Sequence, residues 1–269
     1  MLLKISNTCA MACKHCMENS LPGTGEHMTE DIFRAALDCT ARVESLARIR
    51  TGYNLLLFSG GECTENPNFL HFLDLAEKAG FMPFILTHGL WLDDPDLRAA
   101  ILRPGRNVLV QLTNDARYYP RRVPAYEPDP RIVPTDQIGT LLPLGRASGP
   151  GRIERLGAQA KQAPSSFNFR SFVHAYKDIR IAVMELRRIA LSGRGWGNCA
   201  PSISHDGSFV AGETRLCKKV GDVHSTVEAL TEGVLNMGAC DRCTLESKLP
   251  ATHRAAIGLP PVAAHVGRL

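Results

Sequence analysis

Three thiols stand on one short stretch near the start of the 269-residue chain: Cys9, Cys13 and Cys16, within Cys-Ala-Met-Ala-Cys-Lys-His-Cys. The C-x3-C-x2-C spacing lets one loop reach three corners of a cubane iron–sulfur cluster and leaves the fourth iron without a protein ligand. An open iron is a place for chemistry, whereas sets of four cysteines bury a closed cluster for electron transfer or hold structural zinc. Zinc ligation and redox thiols are the plainer readings of the same three residues. A second set lies toward the other end: Cys199 and Cys217, then Cys240-Asp241-Arg242-Cys243, with Gly212 completing C-x12-G-x4-C. Its four thiolates suffice for a tetrahedral zinc or for a complete [4Fe–4S] cluster, and spacing does not choose between them. Cys39 falls within a helical pattern and reads as packing.

Residues that ligate from loops need a rigid scaffold behind them, and the first half of the chain supplies one as alternating strand and helix. Residues 2–5 read as a short buried strand that runs straight into the first cysteine loop. A helix starts near Thr29, a capping residue followed by Glu30 and Asp31 at the positive end of the dipole. Ile32, Phe33, Ala36, Leu37, Val43 and Ala47 recur at helical spacing along it. Residues 54–58 form a continuous apolar strand ending at Ser59-Gly60-Gly61-Glu62, and Phe69, Leu70, Phe72, Leu73 and Ala76 mark the next helix. A third strand over 84–86 ends at Thr87-His88-Gly89, a helix covers 96–102, and a fourth strand over 108–112 ends at Thr113-Asn114-Asp115. This order predicts an α/β fold with a parallel sheet covered by helices, and polar and glycine residues gather at the C-terminal strand ends, where barrel-type sheets build their sites. Residues 117–150 are proline-rich and read as a long irregular region, with short apolar pieces at 132–133 and 138–144. Residues 167–191 predict one long helix. After a glycine-rich hinge at 193–197, residues 203–210 read as a hairpin turning at Asp206-Gly207. The expected organisation is a core over 1–195, a small cysteine-rich unit over 196–247 and a tail over 248–269.

Bulk composition narrows the rest. Hydrophobic content of 44% and charged content of 22% describe an ordinary globular chain. A net charge of +4 without a basic block or interleaved aromatics argues against nucleic acid as a partner. No apolar run approaches the roughly 18 residues of a membrane span. Nine cysteines without a secretory signal predict metal or redox chemistry in a reducing compartment, so the expected location is cytoplasmic.

Taken together and in this order, the cysteine loop and Gly60-Gly61-Glu62 resemble the signature of the radical S-adenosylmethionine (SAM) superfamily. The resemblance implies a partial (β/α)6 TIM-type barrel with a small C-terminal cysteine-rich domain. It implies that Cys9, Cys13 and Cys16 hold a [4Fe–4S] cluster whose open iron is chelated by SAM, and that reductive cleavage of SAM gives a deoxyadenosyl radical that takes a hydrogen from substrate. His15 would lie near the adenine, and Gly60, Gly61 and Glu62 would meet the SAM amino group. Thr87-His88-Gly89 is similar to a Thr-Asn-Gly found on the third strand of many members. Gly145-Arg146-Ala147 resembles a stretch lining the ribose or carboxylate, so Thr87, Asn114 and Arg146 join the expected cofactor contacts. Cys63 stands where the family usually has proline, either as an inert small residue or as a participant. The C-terminal set is similar to a SPASM domain shortened to its "twitch" form, which implies a second [4Fe–4S] cluster on Cys199, Cys217, Cys240 and Cys243, with zinc as the alternative.

Relatives with such a domain act mostly on peptide or protein side chains, the first expectation here, and a minority dehydrogenate small carbinols or aminocyclitols. A flavodoxin- or ferredoxin-type donor is the expected electron source. A non-catalytic zinc-binding module is the competing class. Asp115, Arg117, Tyr118, Tyr119 and His174 are acid/base candidates by placement only, and none is assigned a catalytic role.

Overall fold

A computed structural model of the chain describes residues 1–13, 16, 18, 20–23, 25–52, 54–113, 119–135, 141–143, 153–155, 169–191, 200–212 and 217–237. The scaffold is one eight-stranded sheet built from β1 (Leu2–Ser6), β2 (Leu55–Gly60), β3 (Met82–Thr87), β4 (Leu109–Thr113), β5 (Ile132–Thr135), β8 (Ser202–Ile203), β9 (Ser208–Val210) and β10 (Lys219–Asp222). Its spatial order is β10-β9-β8-β1-β2-β3-β4-β5. The six strands from β8 to β5 in that order run parallel, and β9 and β10 add antiparallel. This is the expected partial TIM-type α/β fold, with the sheet open between β5 and β10. A separate pair, β6 (Leu141–Pro143) and β7 (Ile153–Arg155), is antiparallel.

Helices α1 (Glu30–Val43), α2 (Ser45–Thr51), α3 (Phe69–Lys78), α4 (Pro95–Ile101), α5 (Phe169–Tyr176), α6 (Ile179–Leu191) and α7 (Val227–Asn236) complete the fold. Thr29 caps α1 as its sequence predicts, its side chain accepting from the Ile32 amide. Phe33, Ala36, Leu37, Thr40 and Val43 form the buried stripe of that helix. The apolar members of that stripe meet Leu3, Ile5, Leu56, Phe58, Ile85 and Val110, the strand residues of one parity, in a single core. Phe33 stacks on Phe72 of α3 at 4.1 Å between centroids, and Phe58 meets Phe69 edge-on at 6.1 Å. Each such ring stabilises by about 1.5–3 kcal/mol through burial alone, enough for a few aromatics to fix α1 and α3 against the sheet.

Two expectations change. The helix expected over 167–191 is two helices, broken where Lys177 takes a positive φ of 54° and Asp178 turns its carboxylate onto the Arg180 amide at 2.8 Å. That local cap restarts the helix, and α5 and α6 pack side by side. The region over 117–150 is not wholly irregular either. Residues Ile132–Thr135 continue the parallel sheet beside β4. Pro134, which argues against a central strand, is tolerated because β5 is the sheet edge.

The hairpin forms where Asp206-Gly207 predicts it, with Gly207 at φ +82° and the Ser208 amide donating to Asp206. Its strand β8 lies parallel against β1, so this C-terminal piece extends the same sheet. Among the described residues no helix is long and apolar enough to cross a membrane.

Candidate metal centre

The end of β1 and the loop behind it are stitched down by backbone pairing. Cys9 and Asn7 donate to Leu21 (3.3 Å) and Glu26 (2.9 Å), and Met28 donates back to Ile5 at 2.9 Å. Asn66, almost fully buried, donates through Nδ2 to the Ile5 and Met28 carbonyls at 2.7 and 3.2 Å. Asn66→Ala removes this donor from the Met28 carbonyl and leaves the Ile5 carbonyl with the Met28 amide alone, and is expected to cost about 1–2 kcal/mol, read as a lowered midpoint in urea unfolding of the metal-free chain.

On this base Cys9 and Cys13 are buried and Cys16 half-buried, and together with Met11, Leu90 and Tyr119 they form one apolar patch. None of the three is in a disulfide. Ala12 between them has φ 48°, a left-handed turn that a non-glycine residue adopts only when the loop demands it. Three cysteines outside any disulfide, sharing a water-poor patch at the C-terminal end of a central strand, fit a three-cysteine cluster loop. His15, the expected adenine neighbour, lies outside the described residues.

The glycine pair sits against this loop. A Cβ on Gly60, at φ +134°, would meet the Ser6 carbonyl oxygen at 2.2 Å, and one on Gly61 would meet the Thr8 carbonyl at 2.2 Å and Ser20 Oγ at 2.7 Å. The Gly61 and Glu62 amides donate to those same carbonyls at 2.9 and 2.8 Å. A bulge in the β1–β2 register accompanies this close approach. The pair is therefore required first by the chain's own packing.

Glu62 is only 1% exposed. Its Oε1 accepts from Thr64 Oγ1 and Thr87 Oγ1, each at 2.8 Å, and Oε2 accepts from the His88 amide at 3.1 Å. Thr87 also accepts from Trp91 Nε1 at 3.0 Å. The two expected cofactor residues Glu62 and Thr87 are thus joined to each other. Cys63 is fully buried, its thiol facing Leu86 O at 3.6 Å and Glu62 Oε1 at 3.8 Å. Burial, then the Glu62 charge, push the Cys63 thiol well above the ordinary thiol range.

Two residues that motif reading left unassigned belong to the site. His88 and Glu65 bring their ligand atoms within 4.8 Å of each other and of the Cys9 sulfur. Burial works against a positive His88 ring, but the Glu62 carboxylate, Cys9 and Glu65 push it up to about 10. Burial likewise opposes charge on Glu65, yet the neighbouring His88 ring and the bond from the Ala10 amide draw it below the usual carboxylate range. Their position one and three residues past the motif residues Thr87 and Glu62 was the only signal in the sequence.

Elsewhere the sheet's other parity carries Lys4, Ser59, Leu86 and Gln111. Lys4, 3% exposed, pairs with Glu18 at 3.1 Å and so ties this face to the cysteine loop. Tyr119 joins the cluster patch and donates to the Thr113 carbonyl at 3.0 Å. His174 lies on α5, which packs with α6 and α7, none of which carries a residue of this site. Of the second cysteine set Cys217 is described, half-buried. A Cβ on Gly212 would come within 2.3 Å of its sulfur, so the glycine of C-x12-G-x4-C makes room for that thiol. Asn114, Asp115, Arg117, Tyr118, Arg146, Cys199, Cys240 and Cys243 lie outside the described residues.

No protein-family model matches the chain, and no curated protein matches it significantly in sequence. Among solved structures the fold is similar to that of BtrN, crystallised in complex with AdoMet and 2-DOIA. The likeness has a TM-score of 0.52 at 11% identity and covers 95% of this chain and 88% of BtrN.

Proposed function

We propose that this protein is a radical SAM enzyme, with Cys9, Cys13 and Cys16 as the protein ligands of a [4Fe–4S] cluster whose fourth iron takes SAM. The observation that carries this reading is the meeting of three largely buried cysteines, none in a disulfide, with the Gly60-Gly61-Glu62 strand end on a parallel sheet. When bound, that pair supplies reductive cleavage of the sulfonium and a radical able to abstract hydrogen. The chain's own part is to bind, orient and exclude water. Met11, Leu90 and Tyr119 wall the thiols from solvent. The carbonyls of the glycine pair and the buried, multiply anchored Glu62 offer acceptors for the SAM amino group. Thr87, which fixes the Glu62 carboxylate, acts through it. His15, Asn114 and Arg146 complete the proposed cofactor contacts.

The favoured substrate is a small polar molecule undergoing dehydrogenation of a carbinol. BtrN, similar over nearly the whole chain, was solved with AdoMet and the small molecule 2-DOIA together. A peptide or protein side chain is the second reading, favoured by the C-x12-G-x4-C set, whose glycine clears space at Cys217. That set is proposed to hold a second, closed [4Fe–4S] cluster, or zinc, with electron transfer as the role of the cluster. A flavodoxin or ferredoxin is the proposed donor.

The test is iron and zinc per chain after anaerobic reconstitution, followed by 5′-deoxyadenosine release with dithionite and SAM. About eight irons with deoxyadenosine formed is the expected result for two four-iron clusters. About four irons plus zinc keeps the enzyme and assigns the second set to structure. No iron and no cleavage overturns the reading. With substrate in hand, Cys240→Ala combined with Cys243→Ala is expected to leave some uncoupled SAM cleavage while product is lost, both followed by chromatography.

A further inference from the structure

Cys9 is gripped from two strand ends at once. Glu65, in the short turn after β2, accepts the Ala10 amide at 2.6 Å and so pins the peptide just past the cysteine. His88, directly after β3, brings a ring nitrogen within 4.8 Å of the cysteine sulfur. The ring's orientation is set from behind, because the Leu90 amide donates to Nδ1 at 3.1 Å. With Nδ1 accepting, the hydrogen of the ring is on Nε2. That nitrogen is buried on a residue 7% exposed and lacks an aligned hydrogen-bond acceptor. Glu62 Oε2 at 3.2 Å and Glu65 Oε1 at 3.9 Å lie beside it, and neither has hydrogen-bonding alignment.

The Cys9 sulfur lies within 4.8 Å of the ring and, like the two carboxylates, makes no aligned bond to it in the metal-free chain. A thiol is a weak acceptor, but a metal-bound cysteine is a thiolate and a much stronger one. The thiolate also needs the hydrogen bond, since the Glu65 carboxylate lies within 4.8 Å of the same sulfur and would repel its charge.

We infer that His88 is a positioning residue for the cluster ligand Cys9: its Nε2–H donates to the iron-bound sulfur, fixes that ligand's direction and draws charge from it. This rests on the cluster reading of the loop and adds to it a residue that tunes the metal without touching it. Hydrogen bonds to cluster sulfurs are among the terms that set reduction potential, and losing a donor moves the potential down.

The experiment compares anaerobically reconstituted wild type, His88→Leu and His88→Gln without SAM. Iron per chain and an EPR-monitored redox titration are read on the signal that the variant lacking all three loop cysteines does not give. The expected result is iron retained in both variants, a more negative midpoint in His88→Leu, and recovery toward wild type in His88→Gln, whose amide N–H reaches the same sulfur. Iron retained with an unchanged midpoint in His88→Leu overturns the inference and leaves the function standing. Absence of loop iron in the wild type, or zinc that depends on His88 and Glu65 but not on Cys13 and Cys16, overturns both. If His88→Leu does not fold, pulsed EPR on wild type with nitrogen-15-labelled histidine decides. A histidine nitrogen coupling that vanishes in His88→Gln supports the hydrogen bond, and no such coupling refutes it.

Discussion

Alanine at any one of Cys9, Cys13 or Cys16 is expected to abolish SAM cleavage and to remove about four irons per chain, while iron on the second set is retained. Three protein ligands are the minimum that holds such a cluster with one corner open, so losing one removes the site rather than weakening it. The substitutions should not unfold the chain. The loop is held by pairing of Asn7, Cys9 and Met28 with residues 5, 21 and 26, and by Asn66, none of which passes through a thiol side chain. Removing a buried sulfur costs on the order of 1 kcal/mol. Thermal unfolding of the metal-free variants should therefore stay near wild type while deoxyadenosine falls to background. A variant that keeps its iron and cleaves SAM at the wild-type rate would show that the three thiols are not the ligands.

Gly60→Ala and Gly61→Ala are expected to cost about 3–5 kcal/mol each in folding stability, a fall of roughly 10 °C in Tm for a chain of this size. Both new methyl groups would press on backbone carbonyls at 2.2 Å, and backbone cannot swing aside as a flexible side chain can. At Gly60 the φ of +134° adds strain that no L side chain relieves. The separating measurement is again on metal-free protein. A ligand-contact role alone would leave its Tm untouched, whereas a role in docking β2 onto Ser6 and Thr8 lowers it before any cofactor is added. An unchanged Tm in both variants would contradict the close approach.

The sequence by itself determined the local elements and the identity of the reactive residues. Helical spacing and a capping threonine specify α1, an Asp-Gly turn specifies the hairpin, and the apolar runs ending in polar or glycine residues specify the parallel strands, because each depends on neighbours a few positions away. The cysteine spacing likewise states a ligand set on one loop. Only the tertiary structure decided which strand ends meet. It put His88 and Glu65 on Cys9, contacts across 79 and 56 positions that no periodicity encodes. It also explained the glycine pair by the Ser6 and Thr8 carbonyls at and just past the end of β1, and admitted Pro134 to the sheet by placing β5 at its edge. It laid β8 against β1, nearly two hundred residues earlier in the chain. The physical reason is common to all of these. A turn or a helix stripe is written in short-range sterics, while a site is made where backbone pairing brings distant strand ends together, and that pairing is chosen by the whole sheet.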